Sequence, residues 1–124
     1  CYCGKRGCVE TLISGPGLER YYYQTMGVKR RLPEIMERYR EGADEVAEKT
    51  VHRLIEFFGK AMANVINIID PDVIVLGGGL GNIDLLYTDG VWEVEKHVFN
   101  DRLETAFLKP MLGDSAGVFG AALL

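Results

Sequence analysis

A run of four apolar residues at positions 73–76 (VIVL) is the feature that most constrains the fold of this chain. Three of the four are β-branched, and a continuous run of this kind is typical of a strand that is buried on both faces of a parallel sheet. Parallel strands cannot be joined by a tight turn and need a crossover connection, which is usually a helix. The run therefore predicts an α/β fold in which helices and parallel strands alternate.

Helical patterns lie on both sides of this run. Apolar residues recur at helical spacing from residue 43 to residue 69, which predicts the longest helix of the chain. Shorter patterns predict helices over residues 9–14, 18–26, 33–39 and 91–99, and a second, weaker strand over residues 105–109. The last stretch, residues 111–124, predicts a closing helix of small residues that Asp114 or Ser115 caps.

The composition of the chain excludes some classes of function. The chain has 124 residues, of which 48% are hydrophobic, and a net charge of −4, so it suits one domain or a piece of a larger one. No basic face is visible in the sequence, so we expect no direct contact between this segment and nucleic acid. A signal peptide and a membrane-length apolar run are both missing, so we expect a cytoplasmic protein without membrane contact. The first residue is not Met and already belongs to a motif, so we expect a longer protein.

All three cysteines fall within the first eight residues, CYCGKRGC. In a cytosolic chain such a cluster is more often a metal or redox site than a disulfide framework. Gly4 and Gly7 permit a sharp turn that would bring Cys8 back toward Cys1 and Cys3. Converging thiolates favour zinc, whose structural sites are tetrahedral. The sequence therefore predicts a zinc site, with reactive or incidental thiols as the alternative.

The motif supplies only three of the four ligands that a structural zinc site needs. The chain has two histidines, His52 and His97, and both lie in helical patterns far from the cysteines. We therefore expect the fourth ligand to be a histidine upstream of Cys1.

A glycine-rich stretch, GGGLGN, follows the predicted strand at Gly77, Gly78 and Gly79. Such a turn allows a ligand to approach the backbone, and it lies at the carboxyl end of a strand, where α/β sheets bind ligands. The stretch has neither the Lys-Ser or Lys-Thr pair of a P-loop nor the spacing of a dinucleotide-binding motif. A nucleotide contact and a tight turn without a ligand are equally compatible with it.

Three stretches together resemble the ROK family of bacterial sugar kinases and repressors. CYCGKRGCVETLISGPGLERYY is similar to the family's cysteine motif, C-x-C-G-x-x-G-C-x-E. DPDVIVLGGGLGNIDLLY resembles its adenosine-site strand and turn, and is most similar to the fructokinase and mannokinase branch. LGDSAGVFGAALL resembles its C-terminal helix, and the three stretches occur in the family's order.

The resemblance implies an actin-like, ribonuclease-H-like ATPase fold of two domains, with this chain as most of the C-terminal domain. Residues 1–10 would form the zinc knuckle and carry the sugar-binding glutamate, residues 43–69 the long helix, residues 70–82 the adenosine-site strand and turn, and residues 111–124 the closing helix. Cys1, Cys3 and Cys8 would bind a structural Zn²⁺ together with an upstream histidine.

The resemblance also implies ligand contacts. Glu10 matches a glutamate that accepts hydrogen bonds from sugar hydroxyls; the alternative is an acid in a first helical turn that the helix dipole favours. Gly77, Gly78 and Gly79 match the turn that lies against the adenosine of ATP.

The implied activity is ATP-dependent phosphorylation of a hexose, with Mg²⁺ bound to the ATP. Fructose or mannose, phosphorylated at the 6-position, is the expected substrate, and glucose and N-acetylated hexosamines are also family substrates. The resemblance implies that the catalytic base is an upstream Asp, so we expect no catalytic residue in this chain. The implied partners are the hexose, ATP, the N-terminal part of the same protein and a second copy in a homodimer.

A sugar-responsive ROK transcriptional repressor is the alternative function. Repressors share the cysteine motif, but they need not approach ATP and tend to carry bulkier residues at the glycine-rich turn. Gly77, Gly78 and Gly79 therefore favour the kinase. A third possibility is a zinc-stabilised α/β scaffold without catalysis.

Overall fold

The computed structural model describes residues 1–113 and 116–122, which form two compact units, residues 1–57 and residues 58–124. Six α-helices and two strands occur in these residues. Their bounds are α1 Val9–Ile13, α2 Gly15–Met26, α3 Leu32–Glu41, α4 Glu45–Ile69, β1 Val73–Val75, α5 Asp89–Glu95, β2 Ala106–Leu108 and α6 Ala116–Ala122. Two short 3₁₀ helices, Gly79–Asn82 and Asp84–Tyr87, lie between β1 and α5. The boundary between the units falls within α4.

In the first unit, α2 begins earlier than the predicted residue 18. The side chain of Ser14 accepts a hydrogen bond from the Gly17 amide at 3.1 Å and so caps the helix, with Pro16 in the first turn. A Cβ at Gly17 would lie 2.7 Å from the carbonyl oxygen of Thr11, so glycine is needed where α2 passes α1. The sequence SGPG therefore contains the boundary between α1 and α2, with Ser14 as the cap of α2.

Helix α4 begins at Glu45, two residues later than predicted, because Asp44 caps it. The Oδ1 atom of Asp44 accepts hydrogen bonds from the amides of Val46 and Ala47, both at 3.0 Å. A compact cluster of Tyr22, Ile35 and Ala47 forms part of the core of this unit, and all three are fully buried.

In the second unit, β1 and β2 pair in parallel, as the sequence predicts. Val73, Ile74 and Val75 lie opposite Ala106, Phe107 and Leu108. The pairing extends one residue beyond β1, because the amide of Leu76 donates to the carbonyl of Leu108 at 3.1 Å. Helix α5 lies in the connection between the two strands, which gives the expected α/β arrangement.

The prediction that both faces of β1 are buried is wrong for this chain. Val73 is 47% exposed and Val75 is 56% exposed, whereas Ile74 between them is half-buried. Side chains alternate along a strand, so one face of the sheet is open to solvent within the described residues. On β2, the ring of Phe107 lies 6.0 Å from that of Phe58 in α4. The apolar run identified a strand, but its burial depends on which elements pack against it.

Helix α5 ends at Glu95, four residues before its predicted end. The side chain of Asn67 in α4 binds the following loop, where its Oδ1 accepts from the Phe99 amide at 2.8 Å and its Nδ2 donates to the His97 carbonyl at 3.3 Å. These bonds hold the turn that follows α5 against α4. No local signal in the sequence announces this contact, because Asn67 is thirty residues away.

The closing helix is present as α6, and its predicted caps, Asp114 and Ser115, lie outside the described residues. Across the part of the chain that is described, none of the helices combines the length and the apolar character that a membrane span requires.

Candidate functional site

The three cysteine side chains converge at the start of the chain. Their Sγ atoms all lie within 4.8 Å of one another, and the Sγ atoms of Cys3 and Cys8 are 3.5 Å apart. Gly4 and Gly7 make the turn with φ angles of +79° and +74°, a region that glycine adopts without strain. In a tetrahedral site with Zn–S bonds of about 2.3 Å, sulfur atoms are about 3.8 Å apart. The cluster is therefore close to the spacing that a tetrahedral ion requires.

The chemistry of the thiols also suits a metal. A hydrogen bond with the Lys5 backbone, followed by one with the Cys8 thiol, lowers the pKa of Cys3 from its usual range. A lower pKa favours the thiolate, which is the form that binds metal ions. Cys1 and Cys3 are exposed, and Cys8 is half-buried, so a ligand from another segment can approach.

Neither histidine of the chain is placed as the fourth ligand. The ring of His52 lies edge-on to Tyr39 at 6.5 Å, and Nε2 of His97 lies 3.1 Å from a carboxylate oxygen of Glu93. Among the described residues, the metal-ligating cluster consists of the three cysteines alone. A zinc ion would fit these thiolates with a fourth ligand from elsewhere.

Cys8 connects the cluster to helix α1, because it is the residue that precedes the first helical turn. Its carbonyl accepts hydrogen bonds from the Thr11 amide at 2.9 Å and from the Thr11 hydroxyl at 2.7 Å. Glu10 lies in the first turn of α1 and is exposed. These two bonds join Cys8 to the first turn of α1, two residues before Glu10.

The three glycines after β1 are exposed, and the space around them is open. A Cβ placed on Gly77, Gly78 or Gly79 would meet no atom within 4 Å. Gly78 has a φ of +72°, which explains glycine at that position by backbone conformation. Neither packing nor a positive φ accounts for glycine at the other two positions, and a ligand that approaches the backbone would account for both.

Gly81 has a different role that the sequence pattern did not distinguish. It is buried, and a Cβ there would lie 2.1 Å from the carbonyl oxygen of Leu76. The hydroxyl of Tyr87 donates to the Gly81 carbonyl at 2.9 Å. Lys109 forms an ion pair with Asp84 beside this turn. These contacts hold the turn in shape and leave Gly77 and Gly79 at its surface.

Comparison with known proteins covers the entire chain. The model of the ROK family matches residues 1–124. An N-acetyl-D-glucosamine kinase of Vibrio atlanticus (strain LGP32) is 38% identical over all 124 residues, and the chain spans 41% of that protein's length.

Two solved structures have the same fold over this chain. A ROK hexokinase from Thermus thermophilus superposes with a TM-score of 0.83 at 28% identity, over 99% of this chain and 41% of the other. A ROK family glucokinase from Streptomyces griseus, solved with glucose and AMPPNP, has a TM-score of 0.83 at 25% identity, over 98% of this chain and 45% of the other.

Proposed function

Because the chain belongs to the ROK family, we propose that the protein that carries it is an ATP-dependent sugar kinase. The observation that carries the proposal is the similarity of the whole chain to proteins named as sugar kinases. This chain would supply most of the C-terminal domain of an actin-like ATPase fold. The catalytic Asp and the phosphate-binding loops would lie outside these residues.

For the substrate, the proposal moves away from the expectation of fructose or mannose. The curated relative at 38% identity is named an N-acetyl-D-glucosamine kinase. N-acetyl-D-glucosamine is therefore the sugar that we propose, phosphorylated at a hydroxyl group. The similarity of one glycine-rich stretch to the fructokinase branch is a weaker guide, because it concerns the nucleotide side of the reaction.

In this proposal, Cys1, Cys3 and Cys8 hold a structural Zn²⁺. The ion would clamp a segment that has few buried residues of its own: most of the first ten residues are exposed. Because Cys8 directly precedes α1, binding at the thiolates would hold the first turn of α1 in one orientation. The metal would therefore stabilise structure rather than take part in phosphoryl transfer.

Glu10 is proposed to bind the sugar, and Gly77, Gly78 and Gly79 to bind the nucleotide. An ionised carboxylate accepts hydrogen bonds only, so Glu10 suits hydroxyl groups that donate. ATP with Mg²⁺ supplies the phosphoryl group, and positioning of the two substrates contributes most of the rate in such reactions. The glycines would contribute by allowing the adenosine to lie against the backbone.

A direct test measures ADP release by the full-length protein with each of four sugars: N-acetyl-D-glucosamine, mannose, fructose and glucose. We expect the largest kcat/KM for N-acetyl-D-glucosamine. A larger kcat/KM for fructose or mannose would reverse the choice of sugar but keep the kinase. Absence of turnover with all four, together with sugar-dependent binding to DNA, would instead support the repressor function.

A further inference from the structure

The first unit contains a cavity that none of the proposed sugar, nucleotide or zinc contacts lines. It is open to solvent, has a volume of about 450 Å³ and lies between α2 and the segment that leads into α3. This volume falls in the range of about 300–1,000 Å³ that is typical of pockets for small molecules. A single inorganic ion would fill only a small part of it.

The lining of the cavity is basic, although the chain as a whole is acidic. Four basic and two acidic side chains line it, an excess of two positive charges in a chain whose net charge is −4. The basic residues are Arg20, Lys29, Arg30 and Arg31. Three of them are consecutive, so one short loop delivers most of the positive charge.

The two acidic side chains are already engaged in local contacts. Glu19 accepts a hydrogen bond from the Leu32 amide at 3.0 Å, and the same oxygen lies 3.5 Å from Nε of Arg31. Glu34 lies 3.9 Å from Arg30, which is too long for a hydrogen bond. The carboxylates therefore fix the loop onto α2 and α3 without neutralising all of the basic groups.

Arg30 has an unsatisfied donor. Its Nε atom is shielded from solvent and has no hydrogen-bond acceptor in the described part of the chain. Buried side-chain donors nearly always have a partner, so an unpaired guanidinium N–H requires an explanation. The guanidinium group offers two parallel N–H donors that match a phosphate group. The Arg30 side chain is 30% exposed, so an anion in the cavity would meet its guanidinium group through the atoms that solvent reaches, not through the shielded Nε atom.

We propose that this cavity binds a small phosphomonoester. A phosphomonoester carries a charge of about −2 near neutral pH, which equals the excess positive charge of the lining. The cavity also offers Tyr23 and Pro16, which provide apolar surface for the organic part of such a molecule. Lys29 lies over the ring of Tyr23, with its Nζ atom 5.6 Å from the centroid, so a basic group and an aromatic ring are adjacent.

The test uses the full-length protein with two probes, inorganic phosphate and phenyl phosphate, and isothermal titration calorimetry at fixed ionic strength. Sodium acetate is the control anion, because it has one charge and a different geometry. We expect saturable binding of both phosphates, tighter binding of phenyl phosphate, and no saturable binding of acetate. No saturable binding of either phosphate, or phenyl phosphate that binds no more tightly than inorganic phosphate, would overturn the proposal.

Variants then locate the binding. The double variant Arg20→Gln/Lys29→Gln removes two exposed charges, and Arg30→Lys keeps the charge but removes the planar fork. Arg102→Gln/Lys49→Gln is the matched control, because both of its residues are exposed and neither lines the cavity. We expect both cavity variants to weaken binding of phenyl phosphate about ten-fold or more, with the control unchanged. Equal affinities in the double variant and the control would overturn the proposal, whether or not Arg30→Lys folds.

Discussion

Asp44 is the residue of the first unit whose replacement we expect to reduce stability most. Its Oδ2 atom accepts hydrogen bonds from the Tyr22 hydroxyl at 2.6 Å and from Nε of Arg38 at 2.8 Å. Its Oδ1 atom accepts from the amides of Val46 and Ala47, both at 3.0 Å. One carboxylate therefore connects α2, α3 and the start of α4. The change that we consider is Asp44→Ala.

The expected loss of stability in Asp44→Ala follows from the groups that lose their hydrogen-bond partner. The cap on α4 is worth about 1 kcal/mol. The Tyr22 hydroxyl is fully buried, and a stranded buried donor costs about 1–3 kcal/mol. Arg38 adds little, because its side chain is 37% exposed and water can replace the carboxylate. We therefore expect Asp44→Ala to lower the free energy of unfolding by about 3 kcal/mol.

A double-mutant cycle with Tyr22→Phe separates this mechanism from a general loss of packing. Tyr22→Phe removes the hydroxyl, so Asp44→Ala in that background strands no tyrosine donor. The double variant should therefore be more stable than the two single changes added together, by about 1–3 kcal/mol. The control is Asp44→Asn, which can still cap α4 and accept from Tyr22, and should lose less stability than alanine.

The assay is urea unfolding of the full-length protein, followed by circular dichroism and by hydrogen exchange at amides of α2 and α4. Hydrogen exchange restricts the measured stability to the unit that contains the network. A loss below about 1 kcal/mol in Asp44→Ala, or additive effects in the cycle, would refute the reasoning.

Lowering the pH should weaken the same hydrogen bonds of Asp44 and so reduce the stability of the first unit. The hydrogen bond from Tyr22, followed by those from Arg38 and the backbone amides, holds the pKa of Asp44 well below its ordinary value of 3.8, against the opposing effect of burial. The folded-state pKa is the lower one, so the stabilisation is present above the unfolded-state pKa and is lost as the pH falls from about 4 toward the folded pKa. Wild type should lose stability in this window faster than Asp44→Asn.

Three predictions concern the proposed sites in the full-length protein. Elemental analysis should find one zinc per chain, and Cys8→Ser should lower both melting temperature and sugar affinity; purified wild type without zinc would contradict this. Gly77→Val should raise KM for ATP by about ten-fold and leave KM for the sugar unchanged, because a Cβ at this position meets no protein atom within 4 Å and would obstruct only the proposed nucleotide. Gly78→Val is a poorer probe, because the positive φ of Gly78 would itself strain a valine. Glu10→Ala should weaken sugar binding by about ten-fold, with Glu10→Gln in between, and change unliganded melting temperature little; a drop in stability with unchanged sugar affinity would favour the helix-dipole role instead.

Much of the local structure is readable from the sequence because its causes are local. The apolar spacing over residues 43–69 predicts α4, and the β-branched run predicts β1, because both depend on neighbours within a few residues. The cysteine turn is equally local: Gly4 and Gly7 supply the positive φ angles that bring Cys8 to Cys1 and Cys3. The cap of α2 at Ser14 is also local in origin, although the helical pattern predicted a start at residue 18 and missed it.

Only the tertiary structure decided the features that depend on distant partners. The side chain of Asn67 binds the loop after α5, thirty residues away in the chain. The carboxylate of Asp44 accepts a hydrogen bond from the hydroxyl of Tyr22 in α2. The burial of Val75 depends on what covers the sheet, which the residues of a strand do not specify. Side chains such as Arg30 form a basic cavity because folding places them across from α2. Local sequence restricts backbone conformation, whereas burial and side-chain partners result from packing between segments far apart in the chain.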